Sequence, residues 1–163
     1  ISILVTPSES LAQAVAKELE VQKKRLKRQA IIAASLNANC RLVVVKSLED
    51  AIDLANRIAP EHLALALKNP RKWLQRIENA GAIFLGHFTP EAMGDYLAGP
   101  NHVLPTSGTA RFSSPLGVYD FVKRTSLIAY TQKALRKNAE VCSTLAQMEN
   151  LDAHASAVKV RVS

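Results

Sequence analysis

The sequence contains few of the residues that would cross-link the chain or place it in a membrane. Only two cysteines, Cys40 and Cys142, occur in 163 residues, and neither stands in a CxxC or Cys/His spacing. We expect two reduced, mostly buried thiols in a reducing compartment, which argues against a disulfide scaffold. No run approaches the ~18 apolar residues needed to cross a bilayer. The sequence therefore predicts no membrane partner and a cytoplasmic location.

Aromatic residues and nucleotide-binding fingerprints are also scarce. Phe, Trp and Tyr make up 5% of the chain, although its net charge of +7 is that of a basic protein. Five basic residues lie between Lys23 and Arg28, but such a run is more often the solvated face of a helix than a nucleic-acid reader. We predict no nucleic-acid partner. The GxGxxG, GxxxxGK[ST] and HExxH motifs are absent, so the cofactor-binding residues stay unknown.

The remaining composition is that of an ordinary globular protein. Apolar residues make up 48% and charged residues 21% of the chain, and a chain of this length can bury about 70% of the surface that its unfolded form exposes. The chain opens with Ile1 inside a strand-like run rather than with a signal peptide. We interpret this beginning as that of a fragment or a processed product.

Strand-like and helix-like segments alternate along the first half of the chain. Strands are predicted at 1–6, 41–45, 62–67 and 82–85, and the helices between them at 8–38, 47–59 and 70–81. This alternation is typical of an α/β domain with a largely parallel sheet and flanking helices, here an incomplete Rossmann-like domain. Ligands in such sheets gather at the carboxyl ends of the strands.

A change in composition marks the second half. Residues 90–117 hold four of the six glycines and four of the seven prolines, which predicts a long irregular, functional segment. A further strand is predicted at 126–130, a helix at 131–149, and a tail at 151–163 with an alternating end. We predict two domains, an α/β domain over 1–117 and a small helical C-terminal extension with a tail over 118–163.

Several histidines and carboxylates could carry chemistry. Glu61 and His62 are adjacent at the entry to a strand, and a carboxylate beside an imidazole can divide acid and base work. The residues by themselves favour a simpler interpretation, a capping glutamate and a half-buried histidine on a sheet face. Asp95 and His102 have side chains that can bind zinc, or they could be a turn aspartate and an exposed loop histidine.

The other candidates have weaker signals. Glu149 and His154 flank the end of the long helix, where a helix-end glutamate and a surface histidine are equally compatible with the pattern. His87 follows a predicted strand and has no partner in sequence, so we assign it no role.

Five segments together resemble one enzyme family. In order and spacing, the chain is similar to the C-terminal portion of histidinol dehydrogenase, somewhat over a third of that enzyme. The segments that carry the resemblance are residues 59–63 (APEHL), 81–86 (GAIFLG), 94–96 (GDY), 99–106 (GPNHVLPT) and 151–154 (LDAH). The resemblance implies oxidation of L-histidinol through L-histidinaldehyde to L-histidine with two NAD+, in the cytoplasm or, in a plant, in the plastid stroma.

The resemblance also implies roles for individual residues. Glu61 and His62 match the catalytic pair, with His62 as the base at the alcohol and Glu61 activating water. Asp95 and His154 match zinc ligands. The substrate-binding set comprises His62, Asp95, His102, Glu149 and His154. In the family, the tail reaches the other subunit of a homodimer and supplies its histidine to that subunit's zinc.

Part of the family's site has no counterpart in this sequence. Two further zinc ligands, a glutamine and a histidine, belong before residue 1, as does most of the dinucleotide-binding half. We therefore expect residues 1–163 by themselves to be inactive. The alternative is a non-catalytic α/β binding or assembly module that uses its basic helix for contacts.

Overall fold

The computed structural model describes residues 1–162. The chain divides into two compact units between Phe121 and Val122, and each unit is described by itself. The predicted boundary between residues 117 and 118 stays a prediction for the whole protein.

The first unit begins with a parallel strand pair. Strand β1 (Ser2–Thr6) pairs with β2 (Cys40–Val44), with Leu4 opposite Leu42. Between them, α1 (Glu9–Gln22) starts where the Ser8 hydroxyl accepts a hydrogen bond from the Leu11 amide. This serine is a typical N-cap, because its oxygen satisfies an amide that has no partner within the helix.

The basic cluster interrupts the long helix that the sequence predicts over 8–38. A short 3-10 turn at Lys23–Arg25 follows α1, Leu26 is extended, and α2 (Gln29–Asn39) completes the crossover. The prediction of one continuous helix over 8–38 is therefore wrong. Lys23 and Lys27 would be neighbours at i and i+4 on a continuous helix, as would Lys24 and Arg28, and like charges at that spacing destabilise a helix.

A second crossover begins with helix α3 (Leu48–Ile58), which the Ser47 hydroxyl caps by accepting from the Asp50 amide. The helix ends at Ala59, which is fully buried and left-handed, with φ 52°. Strands β3 (His62–Leu65) and β4 (Ala82–Leu85) then pair in parallel, with His62 opposite Ala82. The strands thus form two parallel pairs, β1–β2 and β3–β4, within the described residues.

The helix between β3 and β4 is shorter and more tightly wound than the helix predicted over 70–81. It is a 3-10 helix at Pro70–Arg76. At the end of that helix, the Asn56 side chain of α3 donates to the Arg76 carbonyl at 2.7 Å and accepts from the Glu78 amide at 2.8 Å. These two bonds occupy backbone groups that a continuing helix would pair internally, so the helix stops at Arg76.

The core lies under one face of the β3–β4 pair. Ile52 from α3, Leu65 from β3 and Trp73 from the 3-10 helix form the buried cluster, and Leu63 and Leu85 pack against it. Leucine occupies every second position at 62–67, which predicts that the leucines share one face of a strand, and their places in and against the core confirm this. His62 is consequently on the other face.

The glycine- and proline-rich segment is less irregular than predicted. Helix α4 (Glu91–Tyr96) follows β4, and 3-10 turns occur at Thr109–Arg111 and Val118–Phe121. The Arg111 guanidinium donates to the Arg57 carbonyl, which ties this segment to the end of α3.

The second unit is a helical pair. Helix α5 (Gln132–Met148) starts at the Thr131 cap, and α6 (Asp152–Lys159) follows a left-handed Asn150. Small buried side chains let the two helices approach closely: Ala139, Ser143 and Ala155.

The strand predicted at 126–130 in the second unit does not form, and the alternating end of the tail is not extended. Residues 126–130 lie outside any strand, and Leu127 and Ile128 are exposed, while most of the alternating end at 158–162 belongs to α6 or the turn after it. An apolar or alternating run becomes a strand only where another strand pairs with it.

Within residues 1–162, no helix has the length and apolar content to cross a membrane.

Candidate functional site

The candidate site lies on the face of the β3–β4 pair that is turned away from the leucine core. Residues two apart on adjacent strands share a face, and the register places His62 and Phe84 together on this one. Their ring centroids are 5.7 Å apart and the rings are inclined by 42°. Phe84 is buried, so it provides a fixed apolar wall beside the imidazole.

Helix α4 covers this face and brings two carboxylates to the histidine. His62 Nδ1 lies 3.6 Å from Glu91 Oε1, and His62 Nε2 lies 3.4 Å from Asp95 Oδ1. Glu91 and Asp95 are four residues apart, which places them one turn apart on the same side of a helix. The imidazole is therefore flanked by a carboxylate at each nitrogen.

The environments of the three side chains differ. The His62 side chain is 20% exposed and Asp95 is 29% exposed, whereas Glu91 is 61% exposed. The Nε2 atom of His62 is buried and has no hydrogen-bond partner within residues 1–162. A buried polar atom without a partner is uncommon and calls for an explanation such as a catalytic role or a missing ligand.

Gly94 allows α4 to lie against the sheet. A Cβ built on Gly94 would be 2.6 Å from Phe84 Cε1 and 2.9 Å from Phe84 Cζ. The absence of a side chain at this residue therefore sets how near Glu91 and Asp95 come to His62.

Glu61 is held by backbone hydrogen bonds at the start of β3. Its carbonyl accepts from the Ala82 amide at 2.8 Å, and the preceding Pro60 carbonyl accepts from the Gly81 amide at 2.9 Å. A Cβ on Gly81 would be 2.6 Å from the Glu61 carbonyl oxygen. The glutamate precedes His62 on a half-buried backbone, so its position depends on the same strand pairing as the histidine.

The remaining predicted site residues belong to other segments of the chain. His102 is exposed in the segment after α4, and the structure does not place it in the His62 cluster. Glu149 is exposed at the C-terminus of α5, and His154 is exposed in the first turn of α6, so both belong to the second unit. His87 follows the left-handed Gly86 at the end of β4.

The donor chemistry of the cluster suits a metal ion. His62, Glu91 and Asp95 each offer one ligand atom, and these atoms lie within 4.8 Å of one another. Imidazole nitrogen and carboxylate oxygen are ordinary zinc ligands. The half-buried Asp95 beside the unpartnered Nε2 therefore fits a role at a zinc site, while a tetrahedral site would need ligands beyond this cluster.

Glu91 is the site residue that the sequence analysis missed. The sequence does contain a signal for Glu91. Pro90 precedes it at the start of a helix, and Asp95 follows it by four residues. The glycine and proline content of 90–117 obscured that helix, because both residues usually interrupt helices.

A parallel α/β frame that holds an imidazole between two carboxylates is suited to proton transfer. The family model described as histidinol dehydrogenase matches residues 1–162. The chain belongs to the histidinol dehydrogenase family, as predicted.

Similar proteins span more sequence than this chain. It is 55% identical over 159 residues to the histidinol dehydrogenase of Lactiplantibacillus plantarum and 56% identical over 160 residues to that of Caldanaerobacter subterraneus subsp. tengcongensis. Each alignment covers 98% of this chain and 37% of the relative. The crystal structure of histidinol dehydrogenase from Elizabethkingia anophelis matches with a TM-score of 0.88 at 37% identity, over 98% of this chain and 37% of that one. This likeness confirms the predicted fold class.

Proposed function

We propose that the chain is the C-terminal portion of a histidinol dehydrogenase that acts in the cytoplasm. The whole enzyme would oxidise L-histidinol through L-histidinaldehyde to L-histidine and reduce two NAD+. The observation that carries the proposal is the match of residues 1–162 to this one family. The imidazole of His62, flanked by two carboxylates and with its Nε2 buried, supports it, because alcohol oxidation needs a group that accepts the hydroxyl proton.

His62 is the proposed base of the alcohol step. Its unpartnered Nε2 can accept the hydroxyl proton of histidinol, and the same nitrogen can exchange a proton again when the aldehyde hydrate is oxidised. NAD+, when bound, would supply the hydride acceptor for both oxidations. No residue of this chain is assigned to NAD+, since the described residues carry no nucleotide fingerprint.

Glu61 is the proposed base of the second step. A carboxylate can take a proton from the water that attacks the aldehyde, and the resulting hydrate then loses its hydride. The backbone bonds that fix Glu61 beside Ala82 support this role, because a general base must be held within hydrogen-bond reach of its proton.

Asp95 and His154 are the proposed zinc ligands of this chain. Zinc, when bound, would hold and orient the imidazole and amine of the substrate. Asp95, His102, Glu149 and His154 would contact the substrate together with His62, and the Glu149 carboxylate suits an ammonium group. The two carboxylates of this set, Asp95 and Glu149, agree with a small cationic substrate.

The proposed assembly is a homodimer with exchanged tails. His154 would reach the zinc site that contains Asp95 of the other subunit. The compact second unit, which starts at Val122, supports this arrangement, since a separately packed unit can exchange between subunits as one body.

The proposal is tested on the full-length protein with its natural N-terminal part. Purified enzyme is expected to reduce two NAD+ per histidinol and to contain zinc, and His62→Gln is expected to slow the first oxidation about 10²–10⁴-fold. Exposed His87→Gln serves as a matched histidine control with near-normal activity. Wild-type protein that holds no zinc and reduces no NAD+ with histidinol contradicts the proposal.

A further inference from the structure

Glu91 has no role in the proposed chemistry, although it lies at the imidazole that carries it. It is the first residue of α4, and its Oε1 is 3.6 Å from His62 Nδ1. The other ring nitrogen, Nε2, faces Asp95. A contact on this side of the ring can decide which nitrogen faces the substrate.

The two nitrogens of a neutral imidazole have different capacities. One carries a hydrogen and donates, and the other accepts. A carboxylate only accepts, so a bond to Glu91 places the hydrogen on Nδ1 and leaves the lone pair on Nε2. Asp95 also accepts, and it would favour the opposite arrangement. If Asp95 Oδ1, the oxygen that faces Nε2, were engaged by zinc, it would no longer be available to accept from Nε2, and Glu91 would then determine the orientation.

The residues around the His62 ring limit the orientations that the ring can adopt. The buried Phe84 ring lies against His62, and Gly94 keeps α4 close to Phe84. A small rotation of the Glu91 side chain converts a separation of 3.6 Å into a hydrogen bond, and such bonds are often long before substrate is present. The Glu91 side chain is 61% exposed, and water screens the charge of an exposed carboxylate. Its main effect on His62 is therefore to orient the ring through a hydrogen bond.

We propose that Glu91 is a positioning residue for His62. It accepts a hydrogen bond from Nδ1 and holds the ring so that Nε2 presents its lone pair to the hydroxyl of the substrate. This inference rests on the proposed function, since it assigns Glu91 a part in the same alcohol step. It gives Glu91 no direct contact with substrate and no place among the zinc ligands.

The test uses the full-length enzyme with Glu91→Ala, Glu91→Gln and the control Glu49→Ala. Glu49 is an exposed glutamate in the first turn of α3, so it controls for loss of a carboxylate at a helix start. We expect Glu91→Ala to lower kcat for histidinol roughly 10–100-fold, with KM and zinc content nearly unchanged. Glu91→Gln should lose less than about tenfold, because its amide oxygen still accepts from Nδ1. Glu49→Ala should be near normal.

A double-mutant cycle separates positioning from a structural effect. In a His62→Asn background, Glu91→Ala should change the remaining rate by no more than about twofold, since the ring that it orients is absent. An equal loss in both backgrounds overturns the proposal, as does loss of zinc in Glu91→Ala or equal damage by Gln and Ala. Failure of the proposed function is distinct, because wild-type enzyme would then not oxidise histidinol.

Discussion

Replacing Gly94 by alanine should separate the proposed activity of the full-length protein from its stability. The new Cβ would lie 2.6 Å from Phe84 Cε1, whereas ordinary carbon contacts are about 3.5–4.0 Å. The ring is buried between β4 and α4, so it has little freedom to withdraw. We therefore expect α4 to move outward by about 1 Å, and the carboxylates of Glu91 and Asp95 to move away from His62 with it.

The expected loss of folding stability is smaller than the expected loss of activity. Crowding of a packed site costs about 1–3 kcal/mol, and exchange of glycine for alanine within a helix recovers about 1 kcal/mol. Net destabilisation should thus be about 0–2 kcal/mol. A displacement near 1 Å at a reacting group can cost about 100-fold in rate, which corresponds to about 2.7 kcal/mol of activation free energy.

The assay is steady-state oxidation of histidinol by the full-length enzyme, with thermal unfolding measured beside it. Gly117→Ala is the matched control, because a Cβ there would meet its nearest atom at 3.9 Å. That variant should keep its kcat and its melting temperature. A Gly94→Ala enzyme with unchanged kcat would refute the reasoning, since it would show that the distance from α4 to the sheet does not govern the site.

Three further predictions concern the proposed chemistry and assembly. Glu61→Gln in the full-length enzyme should slow conversion of aldehyde to acid by roughly 10²–10⁴-fold and alcohol oxidation less; equal slowing of both steps in single-turnover traces would show that Glu61 does not activate water. Mixing His154→Ala subunits with Asp95→Ala subunits should restore zinc-dependent activity in heterodimers, each with one intact shared site; no recovery after verified exchange would place both ligands in one chain. Residues 1–163 purified alone should bind zinc weakly and reduce no NAD+, because a zinc site needs three or four protein ligands; robust turnover would contradict this.

Local sequence signals determined where three of the helices begin. Ser8, Ser47 and Thr131 each cap the helix that follows by accepting from an amide three residues on. This works from sequence because a cap is a bond between near neighbours along the chain. The alternation at 62–67 likewise assigned Leu63 and Leu65 to one face of the strand and His62 to the opposite face, and the structure agrees.

Family membership was also predictable from the sequence. The spacing of five short segments predicted histidinol dehydrogenase, and the match over residues 1–162 confirms it. The roles of individual residues stay predictions, because a shared motif identifies a chemical group without showing what that group contacts.

Only the tertiary structure decided which groups meet. The bonds from Asn56 to Arg76 and Glu78 span about twenty residues, and they end a helix whose sequence would continue. The apolar run at 126–130 is not paired with another strand and is not itself a strand. Glu91 approaches His62 because Gly94 lets α4 pack on Phe84. Propensity and capping depend on neighbours within about four residues, which a sequence displays directly. Packing depends on the space between distant elements, and that space exists only once the chain has folded.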